Sequence, residues 1–424
     1  MTHDALYKSE NINNMQNNQN KLLLIDFLHP DMAKKIIKDF KLPFSYINQE
    51  HFSAMVDNML QVAPEYNDAV DMMINICLRI NKDDQPALCG VIRDITDAMV
   101  EHILGNTGYH AFIQCDINKF FPVEPNNIPT GDNYNHENAG KNFISIDLKN
   151  AAFQAMKTWD RIYGKEYGYL IGESINSYKE FVSYIVDVVG LAAAYSTTTS
   201  KDVINIVIDY ISTCKSLRQV IFGKTNAKRN THIEKFIMQS VMKNISSSFH
   251  IMPVRFNNDE VVYEYNEYLE KALYAKNSLN HLNFTISSEK INDVISVPLE
   301  FHKNLYTLEE YSLIQHDDYI PIEHKKRVKF YVKDNMSMIT HIKQEPVFKG
   351  LPSQMYLIAR ALFSFRFDLA RFFENQPILV DGVFHWLAIP CCHSGGNTSD
   401  NLNTWELDLE LDDVNDDIPV EKIG

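Results

Sequence analysis

The chain lacks the cysteine spacings of zinc and redox motifs. None of its six cysteines (Cys77, Cys89, Cys115, Cys214, Cys391, Cys392) forms a CxxC pair, and Cys391-Cys392-His393 is too tightly spaced to chelate one tetrahedral ion comfortably. No apolar run approaches the length needed to span a bilayer. No secretory leader is recognisable either, because the first twenty residues are polar, with Asn11, Asn13, Asn14, Asn17, Asn18 and Asn20. These absences predict reduced thiols, a cytoplasmic setting and no membrane partner. Positive charge is also in deficit. With 40 Lys and Arg against 55 Asp and Glu, the net charge of −15 argues against a generic nucleic-acid coat protein. A local basic groove remains compatible with that sum. What is present in quantity is apolar surface. At 45% hydrophobic and 11% aromatic the chain can build a sizeable core, and 424 residues suffice for two or three domains.

Taken in order, residues 1–20 read as a flexible lead. A helical region follows over 21–108, with Asp31 as a cap for Met32–Phe40 and amphipathic stretches at Phe52–Val62, Tyr66–Ile80 and Pro86–Leu104. The segment His110–Cys115 has strand character and ends at Asp116. A Pro- and Gly-bearing loop leads to a second strand, Phe143–Ile146, which ends at Asp147. If the two strands are neighbours, their carboxylates meet at one sheet edge. Helical patterns recur at Asn150–Ile162, Ser174–Tyr195, Asp202–Cys214 and Thr231–Asn244. Val188–Ala194 reads as buried helix. Ile251–Glu264 reads as a β-hairpin with Asn257–Glu260 at its turn, and Tyr265–Lys276 as a helix. Strands and loops fill 280–345, and Pro352–Glu374 reads as one strong helix. From Glu406 to Asp417 there are seven acids and no base, a possible docking arm for a protein partner.

Three features carry chemistry. The first is Asp147, placed either as a carboxylate aimed out of a sheet or as a helix N-cap, for which Asp is well suited. The second is the stretch from Lys215 to Arg229, which holds Lys215, Arg218, Lys224, Lys228 and Arg229 and no acid. Gly223 and the Thr225-Asn226 pair break its helix, as a phosphate-facing turn would. The third is the pair Asp259 and Glu260 at the hairpin turn. A second basic stretch, His324–Lys333, spaces its charges among apolar residues at strand period and includes Lys325 and Arg327. Such a strand can grip a phosphate backbone.

In this order the features resemble the palm of right-hand polymerases, most closely the reverse-transcriptase group. Phe143-Ile144-Ser145-Ile146-Asp147-Leu148 through Phe153 resembles that family's first motif. Leu217-Arg218-Gln219 resembles the Leu-Pro-Gln of its second. Arg255-Phe256-Asn257-Asn258-Asp259 resembles the Arg-Tyr-x-Asp-Asp hairpin of its third. The likeness spans roughly residues 110–275. Aligned on Phe256, Asn258 stands where the family has its first hairpin Asp, so a register shifted by one makes Asp259-Glu260 the pair. The Gly and Ser that follow the family's Gln are absent. Cys115-Asp116-Ile117 matches the first motif about as well as Ile146-Asp147-Leu148 does.

The resemblance implies an α+β fold: a helical N-terminal region, a palm-like domain over 109–278, a thumb-like or accessory mixed α/β domain over 279–399, and an acidic tail over 400–424. It implies nucleotidyl transfer with nucleic acid and nucleoside triphosphates as partners. Asp147, Asp259 and Glu260 are the expected catalytic acids. Asp147 and Asp259, with Asp116 as third acid, are the expected ligands of Mg²⁺ or Mn²⁺. Lys215, Arg218, Gln219, Lys224, Lys228, Arg229, Lys325 and Arg327 are the expected contacts to triphosphate, template or product. Two rivals stand beside this reading. One is a palm without catalysis that binds nucleic acid or protein; the other is an assembly protein.

Overall fold

The computed structural model describes residues 25–131, 138, 140–190, 199–277, 282–288, 291–305, 329–335, 343–349, 353–380 and 383–386. The chain divides into two compact units, 1–312 with 326–387, and 313–325 with 388–424. Every feature below belongs to the first. Lys325, Arg327, the Cys391-Cys392-His393 loop, the acidic tail and the flexible lead lie outside the described residues.

The N-terminal region is helical, as its periodicity predicts. Helix α1 (Pro30–Asp39) starts with Pro30 at its first position, where a missing N–H costs nothing. Its cap is His29, whose Nδ1 accepts from the Asp31 amide at 3.1 Å, so Asp31 sits in the first turn and does not cap. Helices α2 (Gln49–Val62), α3 (Asn67–Arg79) and α4 (Gln85–Gly105) follow. On α2 the buried set Phe52, Met55, Val56, Met59, Val62 repeats every three or four residues, the stripe a core-facing helix requires.

The expected strand at His110–Cys115 is instead helix α5 (Thr107–Gln114). Its buried positions, Gly108 and Phe112, are four apart. That is a helical repeat, which a short apolar run does not by itself distinguish from a strand. Gly108 is required here, since a Cβ would meet the Gly168 carbonyl oxygen at 2.3 Å. Asp116 caps the short helix α6 (Ile117–Phe120), accepting from the Asn118 amide at 3.2 Å.

Strand β1 (Asn142–Leu148) leads through a two-residue turn into helix α7 (Ala151–Tyr167). Helix α8 (Tyr178–Val188) ends early: Val188 and Val189 are exposed and Gly190 has φ +70°. The buried helix expected from Val188 is therefore absent at its start, and residues 191–198 lie outside the described set. Helices α9 (Thr199–Thr213), α10 (Lys215–Gly223) and α11 (Ala227–Phe249) follow. The hairpin β2 (Pro253–Phe256) and β3 (Glu260–Glu264) forms where predicted, and helix α12 (Glu267–Asn277) comes next.

Strands β4 (Leu282–Ser288) and β5 (Ile291–Val297) make a separate hairpin. Strands β6 (Leu299–Leu305), β7 (Lys329–Asn335) and β8 (Lys343–Lys349) complete a six-stranded sheet of order β2-β3-β1-β6-β7-β8, antiparallel at every described pairing. A domain boundary at 278/279 would cut this sheet, so the accessory segment contributes half of its strands. Helices α13 (Ser353–Phe363) and α14 (Phe367–Glu374) replace the single expected helix. The break is Phe365, at φ +55°, with the Arg366 amide returning to the Ala361 carbonyl at 2.8 Å. A last hairpin pairs β9 (Pro377–Val380) with β10 (Val383–Trp386).

Both faces of β1 are covered: Phe143, Ile144, Ser145 and Ile146 are all buried. Register decides which residues share a face. Ile144 pairs with Tyr263 and Ile146 with Val261. The Tyr263 hydroxyl donates to the Met242 carbonyl at 3.2 Å, so this apolar face is covered by α11. Ser145 pairs with Val262 and Asp147 with Glu260 on the opposite face.

Candidate active site

Asp147 is a strand residue and not a helix cap. It lies inside β1, half-buried, while the N-cap of α7 is Asn150 at φ +55°. Its register partners are Glu260 on β3 and Glu300 on β6, so the sheet carries a row of three acidic positions across adjacent strands. The hairpin turn is held at its base. The Asn257 amide donates to the Glu260 carbonyl at 2.7 Å, and the Leu148 amide donates to the Asp259 carbonyl at 2.8 Å. That second bond extends the β1–β3 ladder by one step. Asp259 therefore stands opposite Leu148, on the α11 side, while Asp147 and Glu260 stand on the other side.

The two sides have different electrostatics. Both carboxylate oxygens of Glu260 are engaged: Ser145 Oγ donates to Oε1 at 2.6 Å, and Arg255 Nη1 meets Oε2 at 3.0 Å. Arg255 is itself buried, and its Nε has no acceptor. On the α11 side, Glu234 is buried on the helix face formed with Asn230, Ile233, Ile237 and Val241. Burial, and then the negative charge of Asp259, push its carboxyl up to about 7. It is therefore about half protonated near neutral pH, while the exposed Asp259 lies nearby.

Oxygen donors of this kind suit Mg²⁺ or Mn²⁺. Among the described residues, however, no three His, Cys, Asp or Glu side chains converge closely enough to hold an ion. Asp116 caps α6, so the neighbouring-strand arrangement that would have carried it to the sheet edge does not form. By register, Glu300 is the acidic position that stands beside Asp147.

The basic stretch is divided among several tasks. Arg229 closes the end of α5, donating to the Phe112 carbonyl at 2.7 Å and the Cys115 carbonyl at 2.9 Å. Its guanidinium also lies over the Phe112 ring. Arg229 thus already has backbone partners within the fold. Arg218 lies over the Tyr178 ring at 5.5 Å. Lys224 meets Asp97 at 3.3 Å on the surface, and Lys228 is exposed. Lys215 and Gln219 line a cleft at the α9–α10 junction. The helix break at Gly223–Asn226 forms as predicted, and it has a structural cause. Thr225 is fully buried and bonds the Phe222 carbonyl, while Asn226 caps α11 through the Arg229 amide.

Sequence reasoning missed Glu234, Arg255 and Ser145. A signal existed for the first: an acid at a core position of an otherwise apolar helical stripe. No local pattern marks the other two, since their partner Glu260 is identified only by the hairpin register.

No family model, no curated protein and no solved structure matches this chain. The fold is mixed helix and strand, and no helix among the described residues is long and apolar enough to cross a membrane.

Proposed function

We propose that this chain is a palm-type nucleotidyltransferase, a polymerase or terminal transferase, acting on nucleoside triphosphates and a nucleic-acid hydroxyl. One observation carries the reading: strand β1 runs beside an acid-tipped hairpin in a register that sets Asp147 opposite Glu260, with Asp259 one step on. Asp147 and Glu260, which share one face of the sheet, would hold Mg²⁺ or Mn²⁺. When bound, such an ion activates an attacking hydroxyl and steadies a leaving pyrophosphate. Arg255 fixes the orientation of Glu260 and offsets part of the acid row's charge. Lys228, exposed near the start of α11, is available to a phosphate. The test is Mg²⁺- or Mn²⁺-dependent incorporation of labelled nucleotides by wild type and by Asp147→Ala, Asp259→Ala and Glu260→Gln. Equal incorporation by all four, or none by wild type over a broad range of templates and primers, would sink the proposal.

A second reading has its own support. Glu260 is engaged on both oxygens by Arg255 and Ser145, as in a palm that has given up metal for an internal ion pair. Such a protein would bind nucleic acid without turning it over. Binding that weakens steeply with salt, with no metal-dependent product, favours this reading.

A further inference from the structure

A cleft of about 400 Å³ opens among the turn after α1, the start of α3 and the α9–α10 junction. This is ample for a small-molecule ligand. Its lining includes no residue of the sheet or of α11, so it is separate from the acid row. We infer that it is a binding site for a nucleoside phosphate.

The groups around it fall into two sets. One set is spoken for and forms a rigid frame. The Asp39 carboxylate takes the Tyr210 hydroxyl at 2.9 Å and Lys35 at 2.8 Å, and its backbone carbonyl accepts from Ser216. Glu65 is held by the Arg360 guanidinium at 2.7 Å and by Tyr356. The other set has no side-chain hydrogen bond or ion pair among the described residues: Lys41, Lys215, Gln219 and Asp68. Two unpaired ammonium groups against one unpaired carboxylate leave this set net positive, which suits an anionic ligand. Phe40 and Tyr66 offer aromatic surface for a planar base. Asp68 can accept from sugar hydroxyls, and Gln219 can both donate to and accept from a base edge.

The backbone adds a further pointer. Helix α1 ends in a Schellman turn, with the Leu42 amide on the Ile37 carbonyl at 2.9 Å and the Lys41 amide on the Lys38 carbonyl at 3.2 Å. The left-handed position of that turn favours glycine, yet it holds Lys41 at φ +53°. Lys41 thus stands at a strained position on the rim of the cleft, with no side-chain partner among the described residues.

This inference does not rest on the nucleotidyl-transfer reading. Equilibrium dialysis of the full-length protein with labelled ATP, in EDTA so that no metal site contributes, tests it. Wild type binds ATP. Lys41→Gly and Lys215→Gln each weaken binding about tenfold, while Lys271→Gln, a change on the exposed surface of α12, leaves it unchanged. Lys41→Gly relieves the left-handed strain, so its melting temperature is no lower than that of wild type, which separates lost binding from lost folding. Pyrophosphate competes less well than ATP because it lacks the base and sugar. The inference is overturned by absence of ATP binding, by binding insensitive to the Lys41 and Lys215 changes, or by an equal loss of binding in Lys271→Gln. Equal competition by pyrophosphate and ATP overturns the nucleotide assignment.

Discussion

Asp160 on α7 and Glu234 on α11 are both buried carboxyls on long helices, but their surroundings differ. Asp160 accepts from three successive amides, Leu170 at 2.5 Å, Ile171 at 3.0 Å and Gly172 at 2.9 Å. Nearby Lys157 donates to the Gly172 and Glu173 carbonyls. Together they pin the 168–173 loop. Glu234 has no such donors, and its electrostatic neighbour, Asp259, carries the same sign of charge. A buried polar group with every partner in place is an element of the fold. One left facing a like charge is costly to folding, and its retention calls for another role. The contrast separates the α7 side of the molecule, where polarity builds structure, from the hairpin side, where it is held in reserve.

The largest effect is expected on the α7 side. Asp160→Ala leaves three amides without their acceptor and should destabilise the protein by about 3–5 kcal/mol in urea unfolding. Asp160→Asn, which keeps an acceptor oxygen, should lose less. A midpoint unchanged in Asp160→Ala would erase the distinction between the two acids.

On the hairpin side the signature is pH dependence. The Glu234 carboxyl lies at about 7 in the folded chain against an ordinary value of 4.5. Between those values the folded state holds a proton that the unfolded state has released, so its contribution falls as pH rises from about 4.5 to about 7. Glu234→Gln should therefore match wild type near pH 4.5 and exceed it at pH 8 by on the order of 3 kcal/mol. Asp259→Asn should shift the wild-type dependence to lower pH. Stability curves that run parallel across this range would remove Glu234 from the site.

A smaller loss, about 1–3 kcal/mol, is expected for Arg255→Ala, because Glu260 would keep only Ser145 as a donor in a partly buried place. Least of all, Lys224→Ala should change stability by under about 0.5 kcal/mol, since its ion pair with Asp97 is exposed on both sides. A larger effect there would mean that the basic stretch is structural throughout.

The strand around Asp147 and the hairpin around Asp259 were legible in sequence, because a short apolar run and a polar turn between apolar flanks are local signals. The N-terminal helices were legible for the same reason. The misassigned strand at His110–Cys115 is a six-residue stretch too short to show its period, and tertiary burial of Gly108 and Phe112 reveals the helix. Phe365 broke the single helix expected over Pro352–Glu374, because it adopts a left-handed turn without glycine. The acid row was half legible: Asp147 and Glu260 stood out, but their opposition across β1 and β3 is a matter of register. So is the placing of Asp259 on the other side. The engagement of Arg229 with α5 was invisible, because its partners are backbone carbonyls more than a hundred residues earlier.

The central claim is that Asp147 belongs to a metal-dependent nucleotidyl-transfer site built on β1 and its hairpin. It is tested most directly by labelled-nucleotide incorporation in Mg²⁺ or Mn²⁺, comparing wild type with Asp147→Ala at matched melting temperature. Wild type should incorporate, and Asp147→Ala should fall by at least about a hundredfold. Equal incorporation by the two proteins, or no metal-dependent product from wild type, contradicts the account.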